Sequence, residues 1–117
     1  MKEYRGSCHC GSIRFIFSAP EIHDGLRCNC SICKRKGAIM TNFTIAPEHI
    51  TIEVENESLS TYQFGSKVAK HHFCNRCGIF TFVETRLNPG QFRVNLGCVD
   101  GLNSFDLPVE LYDGASI

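Results

Sequence analysis

Eight cysteines in 117 residues dominate the chemistry available to this chain, and their spacing sorts them into groups. Cys8 and Cys10 form a C-x-C pair followed by Gly11. Cys74 and Cys77 form a C-x2-C pair followed by Gly78. Cys28, Cys30 and Cys33 place three sulfurs within six residues, and Cys98 stands alone. C-x-C pairs make strained disulfides, because the backbone does not readily reach the preferred bridge geometry. The first residues, Met1-Lys2-Glu3-Tyr4-Arg5-Gly6, are charged, and no apolar run reaches the length of a signal-peptide core or membrane span. A reducing, cytoplasmic setting is therefore expected. There, so many cysteines point to metal or redox chemistry rather than structural bridges.

The first two pairs echo each other: a two-cysteine loop, a glycine, then an apolar strand (Ser12-Ile13-Arg14-Phe15 and Ile79-Phe80-Thr81-Phe82). Read as complementary halves, Cys8, Cys10, Cys74 and Cys77 make a closed tetrahedral four-thiolate zinc site with a structural role. The competing reading of a C-x2-C motif alone is a redox pair. Glycine after the second cysteine lets each turn close.

Cys28, Cys30 and Cys33 read as a second zinc site with an open fourth position, the arrangement of a reactive metal. The alternative is a second structural site closed by Cys98 or a histidine. Cys98 by itself also reads as a small buried hydrophobe. Three thiolates leave a zinc centre at net −1, which disfavours hydrolysis through bound hydroxide and favours a soft sulfur ligand. Lys34, Arg35 and Lys36 follow directly and can offset that charge or bind an anion, or they form a solvated charge run. His9 is expected to point outward. His71 and His72 precede Cys74 on a strand, so their side chains face opposite ways. One of them could act as acid or base near the second metal, or both are structural.

These loops need short strands to carry them. Ile13, Phe15 and Phe17 alternate with Arg14, Ile16 and Ser18, and Ile50–Glu55, Leu59–Phe64, Ile79–Val83 and Phe92–Leu96 read likewise as strands. Pro47-Glu48-His49 and Ser31–Lys36 suggest single helical turns, and no stretch carries a sustained 3.6-residue apolar stripe. The fold class is mainly β, small antiparallel sheets organised around a four-cysteine zinc site, in one domain spanning 1–117. Apolar residues make up 43% of the chain, enough for one modest core. The formal net charge is zero, so the basic excess typical of binding to nucleic acid or anionic membrane is absent.

Gly6-Ser7-Cys8-His9-Cys10-Gly11, Cys28-Asn29-Cys30-Ser31-Ile32-Cys33-Lys34-Arg35 and His72-Phe73-Cys74-Asn75-Arg76-Cys77-Gly78 together resemble the glutathione-dependent formaldehyde-activating enzyme family, which includes centromere protein V. The match runs from about residue 4 to 112. The resemblance implies a β-tent-type fold and two Zn2+ ions. The structural ion maps onto Cys8, Cys10, Cys74 and Cys77, and the catalytic ion onto Cys28, Cys30 and Cys33. It implies a carbon–sulfur lyase or synthase acting on a glutathione-like thiol and a small aldehyde. The basic residues beside the thiolate triad add the expectation that Lys34 or Arg35 fixes a carboxylate of the thiol. Rival readings are a non-catalytic zinc module, like GTPase chaperones or chromatin proteins, and a methionine sulfoxide reductase whose reactive cysteine would be Cys98.

Overall fold

The computed structural model describes residues 1–116. Its strands, in chain order, are β1 (Lys2–Ser7), β2 (Ile13–Ala19), β3 (Gly25–Cys28), β4 (Met40–Thr41), β5 (Ile50–Val54), β6 (Leu59–Tyr62), β7 (Lys70–Cys74), β8 (Phe80–Glu84), β9 (Phe92–Val94) and β10 (Val109–Tyr112). They form three small sheets, ordered β1-β2-β5, β10-β3-β4 and β6-β7-β8-β9. The α-helix among the described residues is one turn, α1 (Cys33–Lys36), and Pro47–His49 is a single 3-10 turn. No helix among them is long and apolar enough to cross a membrane. The expectation of a mainly β fold built from small sheets holds. The pairing is not uniformly antiparallel, because β10 runs parallel to β3, with Tyr112 opposite Cys28.

Period-two patterning explains the core. On β2 the residues Ile13, Phe15, Phe17 and Ala19 are buried, while those between them are less so or exposed. Their face meets the four-stranded sheet, where the ring of Phe15 lies edge-on to that of Phe82, with centroids 6.4 Å apart. Phe15 and Phe82 are each 1% exposed. Edge-to-face pairs of this kind add to plain area burial.

The four-stranded sheet works on both faces. Thr61, His72, Phe82 and Val94 are directly paired across its four strands and form the row facing the core. One residue away, Tyr62, His71, Val83 and Arg93 are paired in the same manner and form a row on the opposite face. Directly opposed residues of antiparallel strands share a face, so one residue of offset separates packing from site chemistry.

Phe82→Ala should cost about 3–5 kcal/mol in urea unfolding, as expected for a large ring removed from a closed core. Leu111→Ala on the 67% exposed β10 position should stay within about 0.5 kcal/mol. Equal losses at the two positions would contradict this placement of the core.

Candidate functional site

Two hairpin loops carry the first cysteine cluster, one joining β1 to β2 and the other joining β7 to β8. Their backbones match closely. Cys8 N–H donates to the Ile13 carbonyl (3.0 Å) and Cys74 N–H to the Ile79 carbonyl (2.9 Å), the same five-residue span. Gly11 and Gly78 both adopt left-handed backbone, with φ of 81° and 79°. A Cβ at either glycine would meet nothing within 4 Å, so it is the backbone conformation and not crowding that asks for glycine.

The sulfurs of Cys8, Cys10, Cys74 and Cys77 lie within 4.8 Å of one another. Cys10 Sγ is 3.7 Å from both Cys8 Sγ and Cys74 Sγ. That is far beyond a disulfide bond of about 2 Å, and close to the ~3.8 Å separating ligand sulfurs around a tetrahedral zinc with Zn–S near 2.3 Å. All eight cysteines are free. Backbone N–H groups already aim at the sulfurs: Ile13 donates to Cys8 (3.3 Å), and Arg76 (3.4 Å) and Cys77 (3.5 Å) donate to Cys74. Hydrogen bonding with Ser12 holds the Cys10 thiol down to about 6, whereas burial pushes Cys74 up to about 11. This donor set fits a zinc ion. His9, between two of the ligands, is exposed.

Cys28 ends β3, and Cys30 and Cys33 follow on the turn into α1. Their three sulfurs also lie within 4.8 Å of one another, and among the described residues no histidine or carboxylate joins them. Burial pushes Cys33 up to about 12. For Cys30 burial acts in the opposing sense, yet hydrogen bonds from Cys33 and Cys28 bring the thiol below its ordinary value. Three convergent sulfurs without a fourth match an open zinc shell. A segment remote in sequence covers the loop. Asn29 Nδ2 donates to Asp113 Oδ1 (2.9 Å), and Ala115 N–H donates to Asn29 Oδ1 (2.9 Å). A Cβ on Gly114 would lie 2.4 Å from Cys28 Sγ, so only glycine fits against the sulfur.

Cys98 departs from the expectation that it could close this triad. It is buried, and its Sγ donates to the Phe80 carbonyl (3.7 Å). Its thiol is pushed up to about 12 by burial and then by the neighbouring sulfurs of Cys8 and Cys77, which places it beside the four-cysteine cluster. A buried thiol of this kind is also a poor redox nucleophile, which weighs against the reductase reading.

The triad opens onto a cavity of about 630 Å3. Its charged lining among the described residues consists of Lys34, Lys36, Arg86 and Arg93, with no carboxylate. Arg35 is absent from it, because its Nη1 donates to the Ser31 carbonyl (2.7 Å). Lys36 points inward instead. Its Nζ is 3.1 Å from His71 Nδ1 and 3.7 Å from the centroid of the Phe80 ring. Burial lowers the Lys36 pKa, opposed by the three triad sulfurs. Burial, the Lys36 charge and His72 depress His71 to about 4, so His71 is neutral at pH 7 and Nδ1 accepts from the ammonium. His72 lies on the other face, within 2.8 Å of both Thr61 Oγ1 and Glu84 Oε2, and takes no part in the cavity.

Reading the sequence missed Arg86, Arg93 and Gly114, and gave Asn29 no role although it sits inside the three-cysteine motif. No local motif marks the first three, which segments remote in sequence bring to the site.

The model of the glutathione-dependent formaldehyde-activating enzyme family matches residues 3–114. The chain belongs to this family. A Halomonas elongata protein, provisionally named a glutathione-dependent formaldehyde-activating enzyme, is 33% identical over 79 residues, covering 62% of this chain and 50% of that protein. The matched stretch thus spans about half the length of this relative. A crystal structure of a Rhodobacter sphaeroides protein superimposes with a TM-score of 0.81 at 36% identity, covering 91% of this chain and 99% of that one.

Metal analysis of two variants should separate the clusters. Cys8→Ser should unfold the domain, because a structural zinc is worth on the order of 10–16 kcal/mol. Cys30→Ser should stay folded by circular dichroism and lose one zinc equivalent. Gly114→Ala should weaken cobalt uptake at the triad by pressing on Cys28, seen as loss of thiolate-to-cobalt absorption, while leaving the four-cysteine cluster loaded.

Proposed function

We propose that this protein is a zinc-dependent carbon–sulfur lyase or synthase that joins a glutathione-like thiol to a small aldehyde. Cys28, Cys30 and Cys33 hold the catalytic zinc, and Cys8, Cys10, Cys74 and Cys77 hold a structural one. The observation that carries the reading is a three-sulfur loop opening onto a cavity whose charged lining is wholly cationic. Family membership supports glutathione and formaldehyde as reactants.

A zinc ion on the triad supplies a soft Lewis-acid position suited to a sulfur ligand. The rest falls to the chain. In the synthetic direction the thiol sulfur bonds to the carbonyl carbon. The carbon–oxygen π pair moves to oxygen, and the proton lost by sulfur ends on that oxygen, so no redox partner is needed. Arg93, Arg86 and Lys34 can receive the carboxylates of the thiol. Arg93 is suited to this because its Nη1 already donates to the Thr41 carbonyl (2.7 Å), which fixes the guanidinium plane. Lys36 lines the triad's cavity, so its ammonium is suited to stabilise negative charge developing on the carbonyl oxygen and to offset the net charge of the thiolate triad. His71 holds Lys36 in place as a neutral acceptor. Thiols and formaldehyde combine without a catalyst, so holding them together accounts for much of the acceleration required.

Turnover of glutathione with formaldehyde tests the reading. Cys30→Ser should abolish the catalysed rate in a folded protein. Lys36→Met should lower kcat about a hundredfold, as for loss of one preorganised donor to a developing oxyanion. Since His71 titrates near 4, it stays neutral across pH 6–8, and a histidine inflection in that range should be absent from the rate profile of wild type. A folded Cys30→Ser protein that has lost the triad zinc and keeps full turnover would overturn the proposal.

A further inference from the structure

The cavity is much larger than formaldehyde needs, and part of its wall has the wrong character for formaldehyde or a peptide thiol. At about 630 Å3 it falls within the range of pockets that hold drug-sized ligands, about 300–1,000 Å3. The cations account for an anionic thiol. They leave unexplained the apolar side chains of Phe64, Val83 and Leu87, which line the same cavity as the metal loop. Lys36, three residues beyond Cys33, touches His71. The imidazole stacks on Phe64 (centroids 5.9 Å apart, planes 24° apart), and Phe64 stacks in turn on Tyr62 (5.7 Å, 23°). Val83 flanks His71 on the next strand, and Leu87 lines the cavity from the loop after β8. Phe64 is 44% exposed and Leu87 is 62% exposed, so the protein itself leaves this surface uncovered. Formaldehyde brings no carbon beyond the one that reacts, and a γ-glutamyl-cysteinyl-glycine thiol is polar along most of its length. Neither buries this wall. Uncovered apolar surface that shares a cavity with a reactive centre marks a ligand groove.

We infer that the sulfur-bound carbon group handled at this site is apolar, an aromatic ring or alkyl chain lying on Phe64 and Leu87, and that the carbonyl reactant is correspondingly an aldehyde larger than formaldehyde. The inference rests on the thiol–aldehyde reading proposed above and names its substrate class. With the sulfur at the triad and the carboxylates on the arginines, the substituent on the former carbonyl carbon has the His71–Phe64 ladder as its apolar neighbour. The same bond changes apply whatever that substituent is.

Calorimetric titration of the zinc-loaded protein with S-methylglutathione and S-benzylglutathione tests this without requiring catalysis. The benzyl conjugate should bind at least about tenfold more tightly, the gain expected from burying an aromatic ring. The ratio should fall towards one in Phe64→Ala and in Leu87→Ser, with zinc content and thermal unfolding unchanged. Equal affinity for the two conjugates, or binding of neither, overturns the inference. Glutathione–formaldehyde turnover measured on the same preparation keeps the two ideas apart. Turnover with no benzyl preference removes the larger aldehyde and leaves the lyase reading standing. Benzyl preference with no turnover of any aldehyde removes the lyase reading and leaves an apolar subsite for sulfur conjugates.

Discussion

Four sulfur atoms drawn together from two hairpin loops set the terms for the rest of this fold. As thiolates they would repel one another strongly, and as thiols they would contribute little cohesion. A divalent cation among them would convert the crowding into a bond network. The loops belong to different sheets, so the cluster ties the β1-β2-β5 sheet to the β6-β7-β8-β9 sheet while Phe15 and Phe82 pack between them. Metal binding of this kind is comparable in free energy to the whole stability of a small domain.

Once one face of the four-stranded sheet is committed to that core, its other face is free for chemistry. The row Tyr62, His71, Val83 and Arg93 looks away from the core, and the triad loop with the residues covering it faces the same cavity. The charge in the cavity comes from scattered segments: Lys34 and Lys36 around α1, Arg86 in a loop, and Arg93 on β9. The two adjacent histidines differ in their partners. His71 is held neutral beside a lysine, while His72 bonds to Thr61 and Glu84 on the packed side.

Strands with strong alternation were legible from the chain alone. β2 and β5 follow the expected spans closely, and the runs read at Leu59–Phe64, Ile79–Val83 and Phe92–Leu96 contain most of β6, β8 and β9. β1, β3, β4 and β10 were not. On β1 only Tyr4 and Gly6 are buried, so its sequence looks polar, and Gly6 is required there because a Cβ would lie 2.5 Å from the Cys98 carbonyl oxygen. β3 and β10 pair in parallel across 84 positions of chain (Gly25 with Val109), and β10 leaves Val109 and Leu111 exposed. Periodicity reports burial on one face, and these strands have little of it to report.

The sequence by itself determined what lies within a few residues: two cysteine loops closed by left-handed glycines, a three-cysteine turn, and the opposite facing of His71 and His72. Local backbone geometry sets those relations, and spacing encodes local geometry. Tertiary structure alone decided that Lys36 rather than Arg35 turns towards the triad, that Cys98 lies beside the other cluster, and that the segment carrying Asp113, Gly114 and Ala115 covers the reactive loop. Those outcomes depend on how sheets far apart in the chain come to rest against each other. The packing of side chains such as Phe15 and Phe82 governs that, and no short spacing records it.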